Sequence, residues 1–98
     1  MAKKLMWANV HVPQYPRVRF YKKSPDSPKS FIELTQRVAK LVVEDLEDSG
    51  QCELQRLDEN EQLVWKTRHP SLQETKWYVE FEYGLPEEKW NLYNAPSP

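Results

Sequence analysis

The stretch Ser30-Phe-Ile-Glu-Leu-Thr-Gln-Arg-Val-Ala-Lys-Leu-Val-Val-Glu-Asp-Leu-Glu-Asp-Ser-Gly50 carries the strongest local signals in the chain. Ser30 and Glu33 have the spacing of a capping box, in which each side chain bonds the other residue's free backbone N–H at a helix start. Apolar residues follow at helical intervals, and Gly50 supplies a stop. The apolar residues are Phe31, Leu34, Val38, Leu41, Val42 and Leu46. The pattern predicts an amphipathic helix over residues 31–48.

Segments on both sides of this helix alternate apolar and polar residues, which is typical of strands. Asp58-Glu-Asn-Glu61 has the composition of a hairpin turn between two of them. Gly84 and Pro86 end the last and clearest one, and Pro86-Glu-Glu88 suits the start of a short helical turn. The predicted strands are residues 5–12, 17–22, 51–57, 62–68 and 76–83.

These elements predict an α+β fold, a two-layer sandwich with one main helix on a four- to five-stranded, mainly antiparallel sheet. The expected order is β(β)αβββ with a short C-terminal helical turn. Whether residues 13–16 reverse the chain stays open. Residues 1–93 form a single domain in this prediction, and residues 94–98 form a flexible tail.

Composition narrows the class of protein. The 98 residues are 39% hydrophobic and contain a single cysteine, Cys52, so no disulfide can form within the chain. We therefore expect a reducing, cytoplasmic environment. Apolar runs never exceed four residues, and Asn9 and His11 interrupt the first one, which predicts neither a membrane span nor a signal peptide.

Charge is unevenly distributed along the chain. Residues 1–30 carry seven basic side chains and one acidic one, a net charge of +6, whereas residues 31–98 carry a net charge of −7. Acids crowd the end of the predicted helix, where its dipole is already negative. Lys3, Lys4, Lys22 or Lys23 would neutralise them if the two parts of the chain pack together, and a free acidic end would instead attract a basic partner.

The sequence offers no strong catalytic or cofactor signal. The imidazoles are His11 and His69, and Cys52 has no neighbouring cation in sequence to lower its pKa. Two glycines cannot build a Gly-rich phosphate loop, and the Cys and His residues are too scattered for zinc. We predict a protein that is not an enzyme and needs neither cofactor nor metal.

The hypothesis that remains is a small binding or regulatory module. One helix covers one face of the predicted sheet, which leaves an aromatic and arginine-bearing face for a protein partner or a second copy. The predicted contact residues are Trp7, Arg17, Arg19, Tyr21, Tyr78 and Trp90.

The alternative is a protein that binds single-stranded nucleic acid through its basic, aromatic N-terminal segment. Cations would contact phosphates while rings stack on bases. The residues would be Trp7, Arg17, Arg19, Tyr21, Lys22 and Lys23. Against it, Glu80 and Glu82 on the neighbouring predicted strand would repel phosphate, or would pair with Arg17 and Arg19.

Overall fold

A computed structural model describes residues 3–27, 29–46 and 49–93 and confirms the α+β class, with a helix packed on a five-stranded antiparallel sheet. A separate two-stranded sheet accompanies it. The elements are β1 (Lys3–Asn9), β2 (Tyr21–Lys23), β3 (Phe31–Glu33), β4 (Lys40–Leu46), β5 (Gln51–Leu57), β6 (Leu63–His69), α1 (Leu72–Tyr83) and β7 (Asn91–Leu92). The helix thus follows six strands, so the expected order β(β)αβββ is wrong.

The sheet has the strand order β6-β5-β4-β1-β7, and every neighbouring pair is antiparallel. Strand β4 lies at its centre, with Val42 aligned with Trp7 of β1 on one side and with Gln55 of β5 on the other. Among the described residues, strands β2 and β3 pair only with each other. Two strands therefore lie at the edges of the large sheet, the short β7 and the seven-residue β6.

The predicted helix over residues 31–48 is wrong. This stretch forms β3, a 3-10 turn at Thr35–Arg37 and β4, and Glu47 and Asp48 lie outside the described residues. Leu41, Val42 and Val43 are all buried, because β4 lies at the centre of the sheet and is hydrogen-bonded along both edges. The predicted capping box does not form either, since the Ser30 hydroxyl donates to Ser27 Oγ at 3.3 Å.

The predicted strand over residues 76–83 is also wrong, because these residues belong to α1. Ser71 caps the helix by accepting a hydrogen bond from the Glu74 amide at 3.1 Å. Gly84, at φ +67°, ends it in the left-handed conformation that glycine adopts without strain. The predicted stop at Gly84 is correct, but it ends a helix instead of a strand.

Other expectations are met in part. The hairpin of β5 and β6 is confirmed, and a 3-10 turn at Glu87–Lys89 follows Pro86 as predicted. Strand β1 is shifted toward the N-terminus, and residues 17–20 are not a strand, although Phe20 is buried. The predicted tail, residues 94–98, lies outside the described part of the chain.

The core lies between the sheet and α1. Leu41, Val43 and Leu54 from the sheet are fully buried, as is Val79 from the helix. Burial of each such side chain stabilises the fold by about 1.5–3 kcal/mol. The alternation predicted for the first strand is confirmed, since Met6 and Ala8 are buried on the same side.

On the opposite face of the sheet, charges form a row across four strands. Lys4 aligns with Glu44, Glu44 with Glu53, and Glu53 with Arg68. Lys3 aligns with Asp45, but this pair lies on the face of the sheet that carries Cys52. The basic start of the chain therefore does pack beside an acidic segment, as expected, but that segment is a strand. Its Glu44 has a lysine opposite it on one side and the like-charged Glu53 on the other.

Candidate functional site

The six residues predicted to bind a partner do not share one surface. Trp7 lies on the charged face of the sheet, Arg17 lies beside the C-terminal end of α1, and Arg19 and Tyr21 lie at β2. Tyr78 and Trp90 are half-buried against the core. The residues of the single aromatic and arginine-bearing sheet face that the sequence suggested are therefore divided among four regions.

Trp7 is partly covered by charged groups of its own chain. Lys40 Nζ lies 4.9 Å from the centre of the Trp7 ring, and it donates a hydrogen bond to Glu61 Oε1 at 2.6 Å. This hydrogen bond and the lysine charge lower the pKa of Glu61. Because an internal cation already lies over the ring, Trp7 does not present a bare aromatic face to a ligand.

The outward face of α1 carries the larger exposed aromatic surface. Trp77 is 60% exposed and Phe81, one helical turn further, is 51% exposed. Tyr15, from the loop after β1, is 80% exposed and lies with Phe81 along a groove of about 310 Å³. We call Tyr15, Arg17, Trp77 and Phe81 the helix-face patch.

Arg17 is held against Phe81 by two contacts. Its guanidinium carbon lies 5.0 Å from the centre of the Phe81 ring, and its Nη1 donates to the Phe81 carbonyl oxygen at 3.3 Å. The sequence placed Arg17 opposite Glu80 or Glu82 across a sheet, which is wrong because both glutamates are helical. Stacking on an aromatic ring instead holds Arg17 in place at the surface.

The inward side of α1 explains why its aromatic residues face solvent. Thr75, Val79 and Glu82 recur at helical spacing and are buried against the sheet. Trp77 and Phe81 therefore lie on the opposite side, next to the exposed carboxylates of Glu74 and Glu80. The helix-face patch is an apolar surface with an acidic rim.

A buried ion pair fixes α1 to the sheet. The guanidinium of Arg56 in β5 donates to both carboxylate oxygens of Glu82, at 3.2 and 2.8 Å, and to Thr67 Oγ1 at 3.1 Å. The Arg56 and Glu82 side chains are 0% and 1% exposed. Phe20 and Tyr78 lie 4.6 and 5.8 Å from the guanidinium carbon. Complete burial makes this pair a structural support that a ligand in solution cannot reach.

Sequence reasoning missed this ion pair, although one signal was present. Arg56 alternates with Cys52 and Leu54 on the inward side of a correctly predicted strand. An arginine at an inward position needs a buried anion, because an unpaired buried charge is very costly. The position of Glu82 on a helix could not be inferred while residues 76–83 were taken for a strand.

Apart from the Arg56–Glu82 ion pair, four titratable groups near the core have pKa values shifted toward the neutral form. Burial and then the charge of Asp45 raise the pKa of Cys52, so its thiol is protonated at neutral pH. Burial and then the charge of Arg56 lower the pKa of His69, so its ring is neutral there. Burial raises the pKa of Tyr78 and, more strongly, that of Tyr83. Cys52 is thus a buried free thiol.

A second exposed aromatic surface lies on the hairpin of β2 and β3, and its rim is basic. Tyr21 and Phe31 are 47% and 63% exposed, and Lys23 pairs directly with Phe31. The nearby Arg19 bonds to Glu33 at 3.3 Å. We call Tyr21, Lys22, Lys23, Lys29 and Phe31 the basic hairpin. It contains three of the residues predicted for nucleic-acid binding, of which Tyr21 and Lys23 share the face of Phe31 and Lys22 lies on the other face. Trp7 and Arg17 lie elsewhere.

The described residues contain neither a cluster of metal ligands nor a helix that could span a membrane. Residues 3–27, 29–46 and 49–93 contain no group of three or more His, Cys, Asp or Glu side chains placed to hold a metal ion. The single helix in this part of the chain is too short and too polar to cross a membrane. Comparison with protein-family models, curated proteins and solved structures found no match.

Proposed function

We propose that this chain is a non-catalytic protein-binding module and that the helix-face patch is its docking surface. The observation that carries the proposal is the exposure of Trp77 and Phe81 on the outward side of α1. Leaving two large aromatic side chains in water forgoes the free energy of burying them. A contiguous exposed apolar surface with a polar rim is typical of a protein interaction site.

The residue types and their rigidity also support a binding role. Tryptophan, tyrosine and arginine dominate the residues that carry binding energy in protein interfaces. Here Trp77 and Phe81 lie on a capped helix, and Arg17 is stacked against Phe81. Side chains that are ordered before binding lose less conformational entropy when a partner docks.

The acidic rim indicates the chemistry of the partner. Glu74 and Glu80 flank the aromatic side chains and are exposed. A partner that meets both features presents an apolar surface bordered by lysine or arginine, because opposite charges at the rim favour association and correct orientation. The proposal moves the docking surface from the sheet face to the helix, and it retains Arg17 among the residues first selected.

The proposal is tested by identifying the partner and then measuring its affinity. Proteins captured on the wild-type chain are compared with those captured on Trp77→Gln/Phe81→Gln, and the purified partner is then titrated by calorimetry. We expect the double substitution to weaken binding by about thirtyfold or more, the loss of a roughly 2 kcal/mol hot spot.

Phe31→Gln is the matched control, because Phe31 is an equally exposed aromatic residue on the other surface. Equal affinity of wild type, control and double variant would refute the proposal. Sedimentation velocity of the isolated chain separates self-association from binding of a different protein.

A second candidate function rests on the basic hairpin. Its lysines would contact phosphates while Tyr21 and Phe31 stack on bases, which is how single-stranded nucleic acids are bound without sequence preference. A labelled oligonucleotide should bind at about 50 mM salt and lose affinity steeply at about 200 mM. Lys22→Gln/Lys23→Gln should reduce the slope of this salt dependence, whereas Trp77→Gln/Phe81→Gln should leave it unchanged.

A further inference from the structure

The outer edge of the sheet at β6 has the features of a strand-docking site. Within the described residues, β6 pairs with β5 on one side, and no backbone hydrogen bond joins its other side to any element. The ladder with β5 is regular from Trp65 to His69. The outward backbone N–H and C=O groups of a regular edge strand can pair with another extended chain.

Charge on β6 determines which extended chain fits. Lys66 and Arg68 lie on the same face of the sheet, and both are exposed. The cross-strand neighbour of Lys66 is the neutral Gln55, whereas Arg68 lies 3.9 Å from Glu53. The strand itself, Leu63–His69, contains no acidic residue. An additional strand with carboxylates facing Lys66 and Arg68 would gain favourable cross-strand pairs.

The other face of β6 determines which residue types fit at every second position of a docked chain. Trp65 and Thr67 face the helix side, and Trp65 is partly exposed while its ring lies 5.4 Å from that of Phe20. Side chains in a strand alternate between faces. The docked chain would therefore place apolar residues next to Trp65 and acidic residues next to Lys66 and Arg68.

We infer that the β6 edge binds an extended acidic segment of another protein, one that alternates acidic and apolar residues, by adding it to the sheet as a sixth strand. Antiparallel pairing with a second copy of β6 is disfavoured, because it would bring two Lys66 and two Arg68 side chains together on one face. The inference goes beyond the helix-face patch and involves different residues, so each can fail without the other.

The test uses three blocked nine-residue peptides and the intact chain. The first alternates Glu with Val, the second replaces every Glu by Lys, and the third is the Glu peptide with its four central amides methylated. Methylation keeps all carboxylates but removes backbone donors. We expect the Glu peptide to bind at least roughly tenfold more tightly than either of the others, with amide shifts concentrated at residues 65–69.

Charge reversal on the protein completes the test. Lys66→Glu/Arg68→Glu should reverse the preference between the Glu and Lys peptides, whereas Lys22→Glu/Lys23→Glu changes the net charge equally and should not. Equal binding of the methylated Glu peptide to the wild-type chain would overturn the inference. An equal loss with both variants would also overturn it, because net charge alone would then explain the binding.

Discussion

The helix-face patch and the basic hairpin expose aromatic side chains to a similar extent, but they differ in charge. Glu74 and Glu80 border the first surface, and Lys22 and Lys23 lie on the second. The exposed apolar area therefore does not indicate which class of partner each surface binds. The sign of the surrounding charge can, since an acidic rim favours a basic protein surface and a basic one favours phosphate.

The two surfaces also differ in what supports them. Trp77 and Phe81 of the patch lie on a twelve-residue helix that is capped at both ends and joined to the sheet by the Arg56–Glu82 ion pair. The hairpin consists of three-residue strands, and the Phe20 amide beside it donates to Thr35 Oγ1 at 2.7 Å. Substitutions in these supports should thus affect the two surfaces differently.

The largest expected effect is loss of the ion pair under the helix. Glu82→Gln should lower the free energy of unfolding by about 3–5 kcal/mol, because the buried Arg56 charge loses its counterion. Urea denaturation followed by circular dichroism measures the loss. Glu80→Gln is the control, since the same change at an exposed site on the same helix should cost no more than about 0.5 kcal/mol. Equal losses would show that the ion pair does not hold α1.

A smaller effect is expected on the hairpin side. Thr35→Val keeps the shape of a fully buried side chain but removes the acceptor of the Phe20 amide. The free energy of unfolding should fall by about 1–3 kcal/mol, the cost of leaving a buried donor unsatisfied. Wild-type stability in urea would contradict this account of the hairpin's support.

The smallest predicted effect is the pH dependence contributed by His69. Burial and then Arg56 lower its pKa in the folded state below the ordinary value of 6.5. The unfolded chain therefore binds this proton more readily, so the stability from His69 is complete above pH 6.5 and is lost as pH falls through the lower, folded pKa. His69→Gln should weaken the dependence of the urea midpoint on pH between pH 5 and 8. The same pH dependence in the variant and the wild type would contradict the prediction.

Features that depend on neighbouring residues were predicted correctly from the sequence, whereas features that depend on distant strands were not. The turn at residues 58–61 and the stop at Gly84 depend on nearby residues and were predicted correctly. Ser30 and Glu33, however, have the same spacing as Ser71 and Glu74, and only the second pair begins a helix. Pairing of β4 with β1 and β5 decides the difference. Such long-range pairing overrides local helical patterns. Local patterns in one sequence do not reveal which distant strands pair.

The helix-face patch was harder to predict because its position depends on whether residues 76–83 form a strand or a helix. Alternation placed Trp77 and Phe81 on the same face of a strand as Val79, which would have buried all three. On a helix, Trp77 and Phe81 are one turn apart and face outward while Val79 faces the core. Arg17 was selected for its residue type, but its stacking on Phe81 joins residues 64 positions apart in sequence.

The most direct test of the central claim is fluorine NMR of the chain labelled with 5-fluorotryptophan, titrated with the partner captured by the wild-type protein. Four resonances are expected, and Trp77→Phe assigns that of Trp77. We expect the Trp77 resonance to shift or broaden on binding while the Trp7 resonance stays in place. A shift of the Trp7 resonance with none at Trp77 would contradict this expectation and would place the docking surface on the sheet face that carries Trp7.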